Sequence, residues 1–292
     1  MEQVIQIKDL VKSYGKSRGV SGISITVQQG DFYGFIGPNG AGKSTTIRSM
    51  LGLIKKDSGC INLLGMDIKT NKVDILKRIG YMPSETMFYP TLRVNEIIKM
   101  TADAYQMDCN DKANELCERL KVDRTKKIEE LSLGNRKKIS IVCALQHKPD
   151  LYIFDEPTSG LDPLMQKEFF TLLREVNKEG ATIFFSSHVL SEIQSYCNHA
   201  AIIKEGKIIA VDSVSNLTKT NARKVTLKGI SQLPLIPGIS GKTCEESGLH
   251  FMYRGDIKPL ISVINKLNVQ DVIIEEPSLE EIFLHYYEKA GE

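Results

Sequence analysis

The residues best suited to chemistry in this chain are the octapeptide GPNGAGKS, residues 37–44, which fits the phosphate-loop spacing G-x-x-x-x-G-K-[ST]. An apolar, strand-like run precedes it and a helical pattern follows. Gly37, Gly40 and Gly42 let successive backbone N–H groups turn toward one concavity, and the helix that begins there adds its positive end. The segment is an anion cradle, and phosphate is its natural occupant. Lys43 is placed to reach the β- and γ-phosphates of a nucleotide, and Ser44 to set a hydroxyl on Mg²⁺.

Such a loop needs a carboxylate on the metal side. The run LYIFDE, residues 151–156, supplies one, because Asp155 ends an apolar strand where burial gives no other reason for an acid. Glu156, one residue on, is placed to orient or deprotonate an attacking water. His188, after the run TIFFSS, is placed to touch a γ-phosphate, although a lone histidine there also reads as an ordinary polar strand terminus.

These groups have to be carried by an α/β fold with a largely parallel sheet, since short β-rich runs alternate with helical patterns over most of the length. Strands are expected at residues 4–7, 23–27, 32–37, 79–82, 151–155 and 182–187; the last two are nearly continuous apolar runs, as in strands covered on both faces. Between about residues 90 and 148 only helical periodicity remains, in LRVNEIIKMTADAY, DKANELCERLKV and RKKISIVCALQ, which predicts an all-helical insertion. From residue 216 on, a loop-like stretch at 231–248 leads into a strand, helix, strand, helix pattern, a small C-terminal α/β appendage. The expected division is therefore a nucleotide-binding core at 1–89 and 149–215, a helical subdomain at 90–148 and the appendage at 216–292. The basic runs at 124–127 and 136–138 read as solvated surface.

Composition agrees with a globular protein: 292 residues, 41% hydrophobic and 25% charged, enough for about two domains. A net charge of +2 argues against a protein that wraps nucleic acid. None of the six cysteines lies in a C-x-x-C pair, so free thiols in a reducing cytoplasm are expected. No run approaches the 18 or so apolar residues of a membrane span, so any spanning falls to other polypeptides.

The order of these elements resembles the ATP-binding subunits of ABC transporters over residues 4–211. GPNGAGKST is similar to the Walker A segment of that family, LYIFDE to Walker B, SGLD (residues 159–162) to the D-loop, and His188 to the switch histidine. LSLGN, residues 131–135, just ahead of a helix, resembles the signature LSGGQ. The resemblance implies ATP and Mg²⁺ as ligands, held by Gly37, Pro38, Asn39, Gly40, Ala41, Gly42, Lys43, Ser44 and Thr45, with Tyr14 stacked on adenine. It also implies a dimer with a second copy or a paralogous subunit, in which Ser132, Gly134 and Asp162 face the nucleotide of the opposite chain. The partner would be a membrane-spanning permease docked on the helical insertion, at the cytoplasmic face of the membrane. PSLEEIFLHYY, residues 277–287, resembles the ending of subunits that serve ABC-2-type exporters of drugs, antibiotic peptides or lipids.

Two departures stand out. Where the family has a metal-binding glutamine after IGYMP, this chain has Ser84 followed by Glu85, and the signature carries Leu133 and Asn135. A site that binds ATP without splitting it is one alternative, against which Glu156 and His188 speak. Soluble relatives that act on ribosomes or nucleic acid commonly carry two cassettes or a long coiled coil, and a small-molecule kinase or GTPase lacks the signature segment.

Overall fold

The computed structural model of the chain describes residues 2–15, 17–218, 222–234, 236–245 and 248–275. It divides into two compact units, Met1–Asp212 and Ser213–Glu292. The first holds two sheets. Strands β1 (Gln3–Tyr14), β2 (Ser17–Gln28), β4 (Ser58–Leu63) and β5 (Met66–Asp67) form an antiparallel sheet in the order β2-β1-β4-β5. Ile5 and Ile7 face Val27 and Ile25 on one side and Leu63 and Ile61 on the other. All six are buried, as period-two alternation on a one-sided sheet requires.

The second sheet orders β10 (Lys207–Ser213), β9 (His199–Lys204), β3 (Phe32–Ile36), β8 (Thr182–Ser187), β7 (Leu151–Asp155) and β6 (Ile79–Met82) side by side. Its pairs from β9 through β6 are parallel. Helices α6 (Pro163–Lys178) and α7 (Leu190–Tyr196) connect β7 to β8 and β8 to β9, while α1 (Lys43–Met50) leads from β3 to the first sheet and α2 (Lys72–Lys77) from that sheet to β6. Every residue of β3, β7 and β8 is buried, which accounts for their unbroken apolar character. The register brings Ile36 beside Ser187 and Asp155 beside Ser186. The carboxyl ends of these three central strands therefore meet, the usual place for a ligand in an open parallel sheet.

Between β6 and β7 the described residues contain helices only: α3 (Val94–Tyr105), α4 (Asn110–Arg119), a 3-10 turn at Ile128–Glu130, and α5 (Leu133–Leu145). α5 begins inside LSLGN rather than after it. Ser132 is its N-cap, accepting from the N–H of Asn135 at 3.4 Å, so the serine's capping preference outweighs the glycine in the first turn.

The second unit holds α8 (Val214–Thr218), β11 (Ala222–Lys228), β12 (Ile239–Glu245), β13 (Gly248–Arg254), α9 (Ile257–Ile264) and β14 (Asp271–Glu275). The strands form an antiparallel sheet ordered β12-β13-β11-β14 over a core of Val225, Leu227, Leu249, Phe251, Tyr253, Leu260 and Ile264. The expected loop at 231–248 is corrected here, because β12 lies within it. As an edge strand, exposed at six of its seven positions, β12 carries no apolar alternation to read. The segment 277–287 lies outside the described residues.

Candidate active site

The site grows from the end of β3. A Cβ on Gly37 would stand 2.5 Å from the carbonyl O of Ile203, so no larger residue fits where the chain leaves the sheet. Gly42 has φ 108 and is the N-cap of α1, with no side chain capping the helix. The first-turn N–H groups of Lys43, Ser44 and Thr45 are thus left without intrahelical partners, the arrangement that receives an anion. Pro38, Asn39, Gly40 and Ala41 form the loop itself, closed by Ala41 N–H to Pro38 O at 3.1 Å and tied down by Gly206 N–H to Ala41 O at 2.9 Å.

Lys43 turns back into this loop and is buried. Its Nζ donates to the carbonyl oxygens of Gly37 (2.6 Å) and Pro38 (3.1 Å) and lies 2.9 Å from Glu156 Oε1. That last approach lacks hydrogen-bond alignment and is a contact of charges. The other carboxylate oxygen, Oε2, meets His188 Nδ1 at 2.6 Å. Lysine, glutamate and histidine therefore stand in one row across the ends of α1, β7 and β8.

Asp155 is fully buried at the end of β7. Its Oδ1 accepts from Ser186 Oγ at 2.7 Å, while Oδ2 has no partner. A buried carboxylate oxygen left bare is costly unless something else satisfies it. Such a bare carboxylate oxygen and the Ser44 hydroxyl are the hard oxygen donors that would suit Mg²⁺. Among the described residues no group of three or more His, Cys, Asp or Glu could hold a metal. A site for Mg²⁺ here would rely on a hydroxyl, one carboxylate and the oxygens of a bound phosphate.

Glu156 has φ 51, a left-handed backbone uncommon for glutamate. Ser186, which the sequence did not point to, holds it: the Glu156 N–H donates to Ser186 O at 3.2 Å and to Ser186 Oγ at 3.1 Å. One serine thus orients both acids. Lys137 also reaches this residue, donating from Nζ to Glu156 O at 2.9 Å. It is 2% exposed, which corrects its expected place on a solvated surface: helical periodicity turns it inward between Arg136 and Lys138. Next to His188, Ser187 Oγ donates to the buried Glu192 at 2.7 Å, where burial raises the Glu192 carboxyl above its ordinary range against that bond.

The remaining sequence candidates stand on other segments of the chain. Gly134 packs against the D-loop, a Cβ there standing 3.0 Å from Gly160 O. Asp162 caps α6, accepting from the N–H of Met165 at 3.0 Å, with Pro163 at the first helical position. Tyr14 ends β1, 46% exposed, with Lys12 Nζ 5.3 Å from its ring centre. Ser84 lies partly buried in the bend after β6 beside the exposed Glu85.

An anion-binding helix start, an adjacent lysine, two strand-end acids and a helical insertion in a parallel sheet together define a nucleotide-hydrolysing cassette. Residues 20–159 match the ABC transporter family model. The chain belongs to the ABC transporter family and is an ATP-binding, ATP-hydrolysing subunit of it. It is 36% identical to the bacitracin transport ATP-binding protein BcrA of Bacillus licheniformis, the match covering 97% of each chain. To the linearmycin resistance ATP-binding protein LnrL of Bacillus subtilis it is 32% identical, again over 97% of each. A solved ATP-binding subunit of an ABC transporter superposes with TM-score 0.70 at 28% identity, over 74% of this chain and 92% of that one. The ADP form of the cassette MJ1267 gives 0.63 at 26%, over 74% and 95%.

Proposed function

We propose that this chain is the motor of an exporter: ATP clamps two such chains, or this chain and a paralogue, together, and hydrolysis releases them, driving a separate permease. The observation that carries the reading is the row of Lys43, Glu156 and His188 at the mouth of the phosphate loop, joined at 2.9 and 2.6 Å. On binding ATP, Lys43 leaves Glu156 for the β- and γ-phosphates, and the first-turn N–H groups of α1 hold the same oxygens. Glu156, freed, accepts the proton of a water whose oxygen attacks the γ-phosphorus while the bond to ADP breaks. His188, hydrogen-bonded to Glu156, touches the γ-phosphate from the other side. Ser44 and Asp155 would hold Mg²⁺, with Ser84 a weak third ligand, and the ion would supply positive charge against that of the phosphates. Tyr14 stacks on adenine, and Ser132, Gly134 and Asp162 close the site of the opposite chain.

No described helix is long and apolar enough to cross a membrane. A groove of about 490 Å³ between α2, β6 and α3, lined by Leu53, Val73, Leu76, Tyr81 and Met100, is mostly apolar. It suits an amphipathic cytoplasmic helix of the permease, which would hold the chain at the inner membrane face. The relatives named for bacitracin transport and linearmycin resistance support a drug or antibiotic as cargo. The test is purification from detergent-solubilised membranes: a polytopic permease should copurify, and Lys43→Ala should abolish the complex's ATPase. Recovery with ribosomes or nucleic acid instead would favour a soluble cassette and defeat the exporter reading.

A further inference from the structure

Beside the lysine, acids and histidine of the site lies a second buried lysine that the reading of the site leaves unused. Lys137, in the second turn of α5, is 2% exposed, and its Nζ donates to the carbonyl O of Glu156 at 2.9 Å. Burial lowers its pKa, against the opposing pull of the Glu156 and Asp155 charges. Filling the space requires no ammonium, since a methionine would occupy similar volume without the cost of desolvating a charge.

The bond holds a backbone that would otherwise relax. Glu156 combines φ 51 with a position directly before Pro157, where sterics favour extended backbone. Such a conformation is strained and persists only where the surroundings enforce it. Ser186 fixes the N–H side of the residue, and Lys137 fixes the carbonyl side. Between these two anchors the carboxylate is turned toward Lys43 and His188.

We propose that Lys137 is a positioning residue for ATP hydrolysis: from the helix that Ser132 caps, its ammonium holds the Glu156 peptide in the left-handed turn that aims the carboxylate at the attacking water. The inference rests on the reading of Glu156 as general base. A slack Glu156 would still let ATP bind, because the phosphate loop does not involve Lys137, but would misplace the base.

Steady-state ATP hydrolysis by the full chain tests this. Lys137→Met should lower kcat about ten- to a hundredfold, the scale of a small misplacement of a reacting group. KM for ATP and affinity for a non-hydrolysable analogue should stay within about threefold. Lys137→Arg, which keeps the charge and the donors, should recover most of the loss. Lys137→Gln, one bond too short to reach the carbonyl but still polar, should lose kcat as methionine does, and it replaces Lys137→Met if that variant folds poorly. In a Glu156→Gln background, Lys137→Gln should change the residual rate less than about twofold, because no base remains to be positioned. The proposal is overturned if Lys137→Gln and Lys137→Met keep the wild-type kcat, if the loss appears in nucleotide affinity, or if it is equally large in the Glu156→Gln background. Wild-type turnover by Glu156→Gln alone would remove the base itself and this inference with it. An inactive Glu156→Gln beside a fully active Lys137→Met would defeat the positioning role only.

Discussion

Replacing Glu156 by glutamine should tighten nucleotide binding while it stops hydrolysis, and the size of the first effect follows from the pair with Lys43. The two groups stand 2.9 Å apart with side chains 5% and 14% exposed. At an effective dielectric constant of about 20, two unit charges at that separation attract by roughly 6 kcal/mol. Desolvation of both ions offsets most of this, leaving about 1–3 kcal/mol that a nucleotide must overcome to draw the lysine onto its phosphates. Glutamine keeps the shape and gives up the charge. Glu156→Gln is therefore expected to bind a non-hydrolysable ATP analogue about five- to 150-fold more tightly than the wild type. Competition against a fluorescent nucleotide, at protein concentrations low enough to keep chains apart, measures it. Equal affinity in the two proteins, or weaker binding by the variant, would refute Lys43–Glu156 competition as a determinant of affinity.

Two further outcomes concern the metal and the pH response. Ser84→Gln should lower the Mg²⁺ concentration needed for half-maximal ATPase, since an amide oxygen reaches farther than a hydroxyl; if instead Glu85→Ala alone raises that requirement, the neighbouring carboxylate serves the metal. His147, buried and stacked on Tyr105 at 3.6 Å, has its pKa pushed down to about 4 by burial, against a hydrogen bond to Ile79 O. As pH falls through 6.5 the unfolded chain takes up a proton that the folded chain refuses until about 4, so stability drops across that window, by about 2 kcal/mol at pH 5. His147→Gln should flatten this loss in urea unfolding followed by circular dichroism at pH 7 and pH 5; identical pH dependence in both proteins would contradict it.

The parts of the site legible in the sequence are those whose chemistry is local. The phosphate loop announces itself because three glycines, a lysine and a serine do their work within one turn of chain. Asp155 was visible because an acid at the end of a buried strand is anomalous. What stayed hidden depends on strand register and helix rotation. Ser186 orients both acids only because β8 lies beside β7 with Ser186 opposite Asp155, a pairing across about thirty residues of sequence. Lys137 stands in a basic triplet, and only the rotation of α5 separates the inward lysine from its neighbours. β12 hid for the opposite reason, as an exposed edge strand with a register shift between Ser240 and Thr243 and no apolar face to give it a period.

The measurement closest to the central claim, that each ATP is split between two chains, is a mixing experiment. Ser132→Arg alone should bind ATP and not hydrolyse it, because its signature segment is blocked, and Glu156→Gln alone should be inactive for want of a base. A mixed dimer contains one composite site with a normal Ser132 from one chain and a normal Glu156 from the other. Mixing the two inactive proteins should therefore restore ATPase activity, up to about half of the wild-type rate per mixed dimer. A mixture as inactive as its components, or a Ser132→Arg chain that loses ATP affinity on its own, would contradict the shared site.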